Sequence, residues 1–219
     1  MNFTHVIFDL DGTILDTLED LADATNWVCA RHGWPVHPLE DYKRFVGNGA
    51  GKLLERVTPS TVELTPELRW TLMSEFSHRY TGHSADKTRA YPGMPQALSR
   101  LKAAGVRMAV LTNKPHEAAG PVVERYYPGV FDAVQGAVVG APLKPDPTTL
   151  LALMEKLGAA KDQTLFAGDS NVDIRTGKNG GLTACGVLWG FRTRAELEAE
   201  GADFIAERPE ELAELILAP

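Results

Sequence analysis

Short apolar runs alternate with helix-like segments along most of this 219-residue chain, and no other sequence feature restricts the fold as strongly. Each run is rich in β-prone residues and is followed by turn residues, a pattern that predicts a buried strand. The predicted strands are residues 5–8, 106–111, 133–135, 164–167, 183–187 and 204–205. Strands that alternate with helices favour a parallel sheet that helices cover on both faces. We therefore expect an α/β fold with a doubly wound, mainly parallel sheet.

One long segment between the first two predicted strands contains helical patterns alone. No strand-like alternation occurs from about residue 17 to residue 88. The predicted helices in this part of the chain cover residues 16–32, 38–45, 50–57 and 66–80. Because the segment interrupts an alternating pattern that resumes after it, we predict an inserted helical domain. The predicted division is a core domain of residues 1–16 and 89–219 and a helical cap domain of residues 17–88.

Polar side chains follow four of the predicted strands, at the edge where sheets of this kind bind ligands. Two aspartates follow the first strand, a threonine and an asparagine follow the second, and a lysine lies in the loop after the third. Two more aspartates, one helical turn apart, follow the fourth. These residues are Asp9, Asp11, Thr112, Asn113, Lys144, Asp169 and Asp173. Because the carboxyl ends of parallel strands meet at one edge, we expect these side chains to converge on one site.

The residue types that converge favour phosphoryl transfer. Packed carboxylates repel one another and require a cation, and oxygen ligands suit a hard ion such as Mg²⁺. A phosphate would then bind the metal, the Lys144 ammonium and the Thr112 hydroxyl, with backbone N–H groups of the 10–13 turn on its oxygens. A carboxylate aimed at phosphorus acts as a nucleophile, and a second carboxyl nearby moves the proton of the leaving group.

Four short segments together resemble the motifs of the haloacid dehalogenase-like superfamily. In chain order they are DLDGT at 9–13, LTNK at 111–114, LKPDP at 143–147 and GDSNVD at 168–173. Within the superfamily, the TNKP and KPDP segments and GVLWGF at 186–191 look most like the phosphoglycolate phosphatase group. The resemblance implies a Rossmann-like core with an all-helical cap, and a Mg²⁺-dependent phosphatase that forms an aspartyl-phosphate.

The same resemblance implies a role for each matching position. Asp9 is implied as the nucleophile and a metal ligand, and Asp11 as the acid and base whose backbone carbonyl also binds Mg²⁺. Asp169 is implied as a further metal ligand, which Asp173 supports through water. The residues implied to bind the phosphate are Thr112, Asn113 and Lys144.

The helical block contains a glycine-rich loop, residues 47–52, that looks like a nucleotide-binding loop. No strand precedes it, and Leu53 stands where such a loop needs serine or threonine. We therefore interpret it as a cap loop that faces the substrate, with Gly47 and Asn48 as contacts. A substrate carboxylate would need another cation, because the lysine of the core is committed to phosphate. Arg44 is the predicted partner, since a guanidinium binds a carboxylate bidentately, and Lys43 and Lys52 beside the same loop are the alternatives.

Net charge and composition argue against several kinds of partner. The formal charge is −7 at pH 7, which argues against nucleic acid and anionic membranes. No apolar run is long enough for a transmembrane helix, and the N-terminus lacks the pattern of a signal peptide. Cys29 and Cys185 make no disulfide framework, which is typical of a reducing, cytoplasmic location. We expect a monomer or homodimer that acts on a small phosphorylated metabolite.

The residues and the family resemblance together leave several functions open. The first is hydrolysis of a small phosphomonoester, with 2-phosphoglycolate as the best single candidate and a nucleoside monophosphate or pyrophosphate as alternatives. A phosphomutase of a sugar phosphate would use the same nucleophile and return the phosphoryl group to the substrate. A dehalogenase needs neither the metal nor an acid at position 11, so Asp11 and Asp169 argue against it. The complete set of motif residues argues against a non-catalytic binding protein.

Overall fold

The computed structural model describes residues 3–218, and a parallel sheet of six strands lies at its centre. In chain order the elements are β1 (His5–Phe8), β2 (Leu15–Asp16), α1 (Leu18–Arg31), α2 (Leu39–Phe45), α3 (Ala50–Val57), α4 (Pro66–His83), β3 (Arg89–Ala90), α5 (Met94–Ala103), β4 (Arg107–Pro115), α6 (His116–Tyr126), β5 (Ala133–Ala137), α7 (Thr148–Leu157), a 3₁₀ turn (Lys161–Gln163), β6 (Thr164–Gly168), α8 (Asn171–Gly180), β7 (Thr183–Val187), α9 (Arg194–Ala199), β8 (Phe204–Ala206) and α10 (Pro209–Leu217). The strand order is β5-β4-β1-β6-β7-β8, and every neighbouring pair is parallel. The predicted doubly wound α/β sheet is therefore confirmed. Met1, Asn2 and Pro219, which the predicted core domain includes, lie outside the described residues.

Helices α5 to α10 cover the two faces of the sheet, because side chains alternate along each strand. On β1, Val6 and Phe8 pack in the core formed with α5, α6 and α10, whereas Ile7 packs on the other face with α7. Helices α8 and α9 complete that second face through Ile174 and Leu197. Both faces of β1 are thus buried, which explains why its sequence is a continuous apolar run.

Strand β4 is longer than the apolar pattern predicts. The predicted strand ends at Leu111, but β4 continues to Pro115 with a register shift against β5. Thr112, Asn113 and Lys114 are polar and yet buried, so a pattern of apolar residues cannot assign them to a strand. The sequence also did not predict the two-stranded antiparallel ribbon of β2 and β3. This ribbon pairs the segments that enter and leave the helical block.

Helices α1 to α4 share a hydrophobic core that is separate from those of the sheet. Its largest buried side chains include Tyr42, Leu72, Phe76 and Tyr80. All four helices lie within residues 17–88, where the sequence predicts a cap. The exact bounds of that domain stay a prediction. Within residues 3–218, no helix combines the length and the apolar character needed to cross a membrane.

Candidate active site

The candidate site lies where the strand order of the sheet reverses. The chain passes from β1 through the helical block to β4 and β5 on one side, and later to β6, β7 and β8 on the other side. The carboxyl ends of β1, β4 and β6 are therefore neighbours, and the loops that leave them bound a crevice. Asp9 directly follows β1, Asp169 directly follows β6, and Lys144 reaches in from the loop after β5. The structure thus gathers the predicted core residues at one edge of the sheet.

A buried lysine connects two of the carboxylates. Lys144 Nζ donates to Asp9 Oδ1 and to Asp173 Oδ1, each at 2.7 Å, and to the Leu111 carbonyl at 3.0 Å. All three N–H bonds of this ammonium are therefore used. They hold the Asp9 carboxylate in one orientation, and within residues 3–218 no donor contacts Asp9 Oδ2.

Both oxygens of the Asp173 carboxylate accept hydrogen bonds from neighbouring residues. Its Oδ2 accepts from the Ser170 backbone N–H at 3.0 Å and from the Ser170 hydroxyl at 2.6 Å. This pairing is a capping box that starts α8. With Lys144 on Oδ1, Asp173 accepts three hydrogen bonds, so it fixes the position of that lysine relative to the first turn of α8.

Asp169 is held by donors from two other loops. The Thr13 hydroxyl donates to Oδ1 at 3.0 Å, and the Phe191 backbone N–H donates to Oδ2 at 2.8 Å. The loops approach closely, since a Cβ on Gly12 would lie 2.5 Å from Asp169 Oδ2 and one on Gly190 would lie 2.2 Å from Asp169 Cβ. Gly12 also adopts a φ of +92°, which favours glycine. Thr13 lies inside the DLDGT segment, but only the folded chain shows that it orients Asp169.

The site carries more negative charge than its own cations neutralise. Its buried or half-buried charged groups are the carboxylates of Asp9, Asp11, Asp169 and Asp173 and the ammonium groups of Lys114 and Lys144. Two negative charges therefore remain. Burial and the nearby charge of Asp173 raise the pKa of Asp9 to about 7. Burial and the charges of Asp173 and Asp9 raise the pKa of Asp169 well above its ordinary value.

The predicted phosphate-binding side chains differ in what they contact. Thr112 Oγ1 accepts from the Lys114 backbone N–H at 3.2 Å, which leaves the hydroxyl hydrogen for a ligand. Asn113 instead uses both ends of its amide on the Lys144 backbone, at 2.9 and 3.1 Å. The Asn113 side chain therefore fixes the loop that carries Lys144, and it does not present its amide to a phosphate in this arrangement.

The turn after β1 offers fewer free backbone donors than its sequence suggests. The N–H groups of Gly12 and Thr13 are bonded within the turn, to the carbonyls of Leu15 and Leu10. In the part of the chain that the structure describes, the N–H groups of Leu10 and Asp11 have no acceptor. Of the backbone N–H groups at residues 10–13 that the sequence predicts to bind a phosphate, only two are therefore free to do so in this structure.

A second buried lysine, for which the sequence predicts no role, faces the same crevice. Lys114 Nζ donates to Asp11 Oδ1 at 3.0 Å and to the Tyr80 hydroxyl oxygen at 2.5 Å. Asp11 belongs to the core and Tyr80 to α4, so the lysine links the two parts of the chain. Although burial lowers it, the charge of Asp11 and the contact with Tyr80 raise the pKa of Lys114 above its ordinary value. The sequence signal for this residue is its place in the LTNK segment.

Of the three cap residues predicted to contact the substrate, the structure places one at the pocket. Gly47 lines it, whereas the Asn48 side-chain oxygen accepts from Arg56 at 2.8 Å and so steadies the loop. Arg44 lies outside the pocket, because α2 turns its side chain to solvent. That side chain is 80% exposed and pairs with Asp41 on the same helix. The structure therefore does not place Arg44 where a substrate carboxylate would bind.

The pocket between the core and the helical block has a polar floor and an apolar roof. The floor consists of Asp9, Asp11, Thr112, Asn113, Lys114 and Pro115. The roof comes mainly from Leu21, Val46, Leu53, Phe76 and Tyr80, beside the glycine loop. The two sides are joined by hydrogen bonds from Asn113 to the Gly47 carbonyl at 3.3 Å and from Arg192 to the Val46 carbonyl at 2.9 Å. The pocket is therefore a partly open cleft between the core and the helical block.

Comparisons with known proteins agree with this architecture. Residues 6–187 match the model of a family described as haloacid dehalogenase-like hydrolase. A Pseudomonas putida protein named phosphoglycolate phosphatase is 32% identical over 206 residues, covering 92% of this chain and 75% of that protein. A Pseudomonas aeruginosa protein named N-acetylmuramic acid 6-phosphate phosphatase is 32% identical over 222 residues, covering 99% and 96%.

The solved structures include a Lactobacillus delbrueckii subsp. bulgaricus protein whose name assigns it to the phosphoglycolate phosphatases. It superposes with a TM-score of 0.91 at 32% identity, and the match covers 100% of both chains. The resemblance inferred from the four sequence motifs is thereby confirmed. The chain belongs to the haloacid dehalogenase-like hydrolase family.

Proposed function

We propose that the protein is a Mg²⁺-dependent phosphatase that hydrolyses a small phosphomonoester, with 2-phosphoglycolate as the best single substrate. The observation that carries the proposal is the Asp9 carboxylate, which Lys144 orients at the end of β1 beside Asp11 and Asp169. The name of the Pseudomonas putida relative supports the choice of ester. A cytoplasmic location and a monomeric or homodimeric state stay predictions.

The residues of the site fit a divalent cation. The two uncompensated negative charges equal the charge of Mg²⁺, and every donor is an oxygen, as this hard ion prefers. Asp9 and Asp169 keep oxygen lone pairs for a metal, since one and two hydrogen bonds respectively occupy them. Asp173 already accepts three hydrogen bonds, from Lys144 and Ser170, so it would stabilise the metal site through these neighbours. When bound, Mg²⁺ would neutralise the carboxylates and polarise the phosphoryl group.

The first half of the proposed reaction transfers the phosphoryl group to the protein. Asp9 attacks phosphorus through a carboxylate oxygen, and the bond between phosphorus and the ester oxygen breaks. The bonding electron pair leaves with that oxygen, to which Asp11, protonated when the ester binds, gives its proton. The Thr112 hydroxyl and the free N–H groups of Leu10 and Asp11 hold phosphoryl oxygens. Lys144 keeps Asp9 pointing at phosphorus throughout.

The second half releases phosphate and restores the free carboxylate. A water molecule attacks phosphorus of the aspartyl-phosphate, and Asp11, now ionised, takes a proton from that water. The bond between phosphorus and the Asp9 oxygen breaks, and the electron pair returns to the carboxylate. The apolar roof excludes other water molecules, which strengthens the electrostatic interactions in the pocket.

Substitution of the nucleophile tests the proposal. Asp9→Asn keeps the shape of the side chain but removes the charged oxygen, so release of phosphate from 2-phosphoglycolate with MgCl₂ should fall by about 10³-fold or more. Circular dichroism should show an unchanged fold. Asp162→Asn, a substitution at an exposed carboxylate on the 3₁₀ turn, is the matched control and should keep full activity. Retention of more than a few per cent of activity by Asp9→Asn would mean that another group attacks phosphorus.

A further inference from the structure

The pocket contains one basic side chain among the lining residues that the structure describes, and this is Lys114. The other lysine of the site, Lys144, uses all three of its N–H bonds on protein acceptors. Lys114 uses two, on Asp11 and Tyr80, and within residues 3–218 no third acceptor lies in hydrogen-bonding distance. One N–H bond of a buried ammonium therefore remains for a ligand.

Tyr80 offers a second donor at the same place. Its hydroxyl oxygen accepts from Lys114 at 2.5 Å, and in the described part of the chain nothing accepts the hydroxyl hydrogen. Burial raises the pKa of Tyr80 to about 12, so the hydroxyl keeps this hydrogen at neutral pH. An ammonium N–H and a phenol O–H side by side match the two oxygens of one carboxylate.

The distance of Lys114 and Tyr80 from the proposed proton donor, Asp11, determines which part of a substrate they can contact. Lys114 is hydrogen-bonded to Asp11, the residue that gives the proton to the leaving oxygen. A carboxylate one carbon away from that oxygen would lie next to Lys114. The side chains of Leu21, Leu53 and Phe76, which form much of the rest of the roof, are apolar and offer no hydrogen-bond partners to the several hydroxyls of a sugar.

We infer that Lys114, supported by Tyr80, is the selectivity residue of this pocket and that it binds the carboxylate of a short phosphorylated hydroxy acid. The inference rests on the proposed phosphatase function. The cation that binds the substrate carboxylate is thereby assigned to Lys114 of the core, in place of Arg44, which the sequence predicts on the cap. Substrates of this class carry one carboxylate, a short carbon chain and few hydroxyl groups.

Two esters that differ in one group test the assignment. 2-Phosphoglycolate and 2-hydroxyethyl phosphate have the same carbon chain, but the second carries an alcohol in place of the carboxylate. The measured quantity is the ratio of their kcat/KM values. Lys114→Met should lower this ratio by about 10- to 100-fold, the range for one hydrogen bond to a charged group. Tyr80→Phe removes a neutral donor to the same charged carboxylate and should lower the ratio by about 10-fold or more.

Two further variants separate selectivity from fold and from position. Lys114→Gln keeps a donor for Asp11 but loses the charge, so the ratio should fall even if the methionine variant is unstable. Lys156→Met removes an exposed lysine of α7 and should leave the ratio unchanged. If Lys114→Met and Lys114→Gln lower both rates equally, Lys114 acts only through Asp11 and the inference is wrong. It is also wrong if Arg44→Ala lowers the ratio and the Lys114 variants do not.

A binding measurement distinguishes this inference from the proposed function. In the Asp9→Asn background, calorimetry should show tighter binding of 2-phosphoglycolate than of 2-hydroxyethyl phosphate, and adding Lys114→Met should remove the difference. If the wild type hydrolyses neither ester but the binding preference depends on Lys114, the inference holds and the proposed function fails. If the esters are hydrolysed but neither the ratio of kcat/KM values nor the binding preference depends on Lys114, the inference is wrong and the proposed function stands. Absence of both binding and hydrolysis would overturn both.

Discussion

The uncompensated charge of the site predicts that Mg²⁺ stabilises the protein by an amount that increases with pH. The pKa of Asp9 is about 7 in the metal-free fold, against about 3.9 for an unperturbed aspartate. The folded protein therefore binds this proton more tightly than the unfolded chain. The stability that the protonated Asp9 contributes is complete below about pH 4 and is lost as the pH rises through 7. The raised pKa of Asp169 acts in the same direction.

The size of the metal effect follows from binding to the ionised carboxylates. At a concentration of 100 times Kd, a ligand of the folded state adds about 2.7 kcal/mol to the free energy of unfolding. For a chain of this length, each kcal/mol raises Tm by about 2–4 °C, so Mg²⁺ should raise Tm by about 5–11 °C at pH 8. Below pH 7 the metal must displace a proton, which costs about 1.4 kcal/mol per pH unit. Most of the gain should therefore be absent at pH 5.5.

Scanning calorimetry at pH 5.5 and pH 8, with MgCl₂ or with EDTA, measures both effects. Asp169→Asn should remove the Mg²⁺-dependent rise in Tm and should stabilise the metal-free protein at pH 8, because one buried charge is gone. Asp162→Asn changes an exposed carboxylate and should keep the full rise. Equal rises at the two pH values, or a full rise in Asp169→Asn, would refute the assignment of the metal to these carboxylates.

Three further substitutions test separate parts of the site. Asp11→Asn should reduce kcat/KM for alkyl phosphates more than for p-nitrophenyl phosphate, whose leaving group needs no proton; equal losses would place Asp11 in another step. Thr13→Val removes the hydroxyl that orients Asp169 and should raise the Mg²⁺ concentration for half-maximal activity about 10-fold; an unchanged Mg²⁺ titration would contradict that role. Gly12→Ala should abolish activity at any Mg²⁺ concentration, because a Cβ would lie 2.5 Å from Asp169 Oδ2; a normal rate would show that the turn tolerates a side chain.

The sequence predicts the strands and the core of the site because both depend on local patterns. Asp9 and Asp169 directly follow buried apolar strands, and parallel strands must bring their carboxyl ends to one edge. That rule places the carboxylates together without any knowledge of individual contacts. The same local reasoning separates the helical block, since its helical periodicity extends over all four helices.

The residue roles that sequence patterns do not predict depend on contacts between segments that are distant in the chain. Lys114 becomes a pocket residue because β4 continues past Leu111, and the polar residues of that extension look like a loop in the sequence. The charge of Arg44 and its nearness to the glycine loop predict a position at the pocket, but the direction of its side chain depends on how α2 packs. The structure turns it to solvent beside Asp41. The use of the Asn113 amide on the Lys144 backbone likewise requires the two loops to meet.

The two buried lysines of the site differ in how much bonding capacity they leave to a ligand, and this difference separates catalysis from selectivity. Lys144 has all three N–H bonds on acceptors of the core, so its geometry depends on the sheet and not on the ligand. Lys114 has one N–H bond left, and one of its two partners, Tyr80, belongs to the helical block. Changes in the helices can therefore alter the surroundings of Lys114 while the sheet still holds Asp9 and its lysine in place. On the proposed function, we expect substitutions at position 80 or 114 to alter which ester is hydrolysed, and substitutions at position 144 to alter whether any ester is hydrolysed.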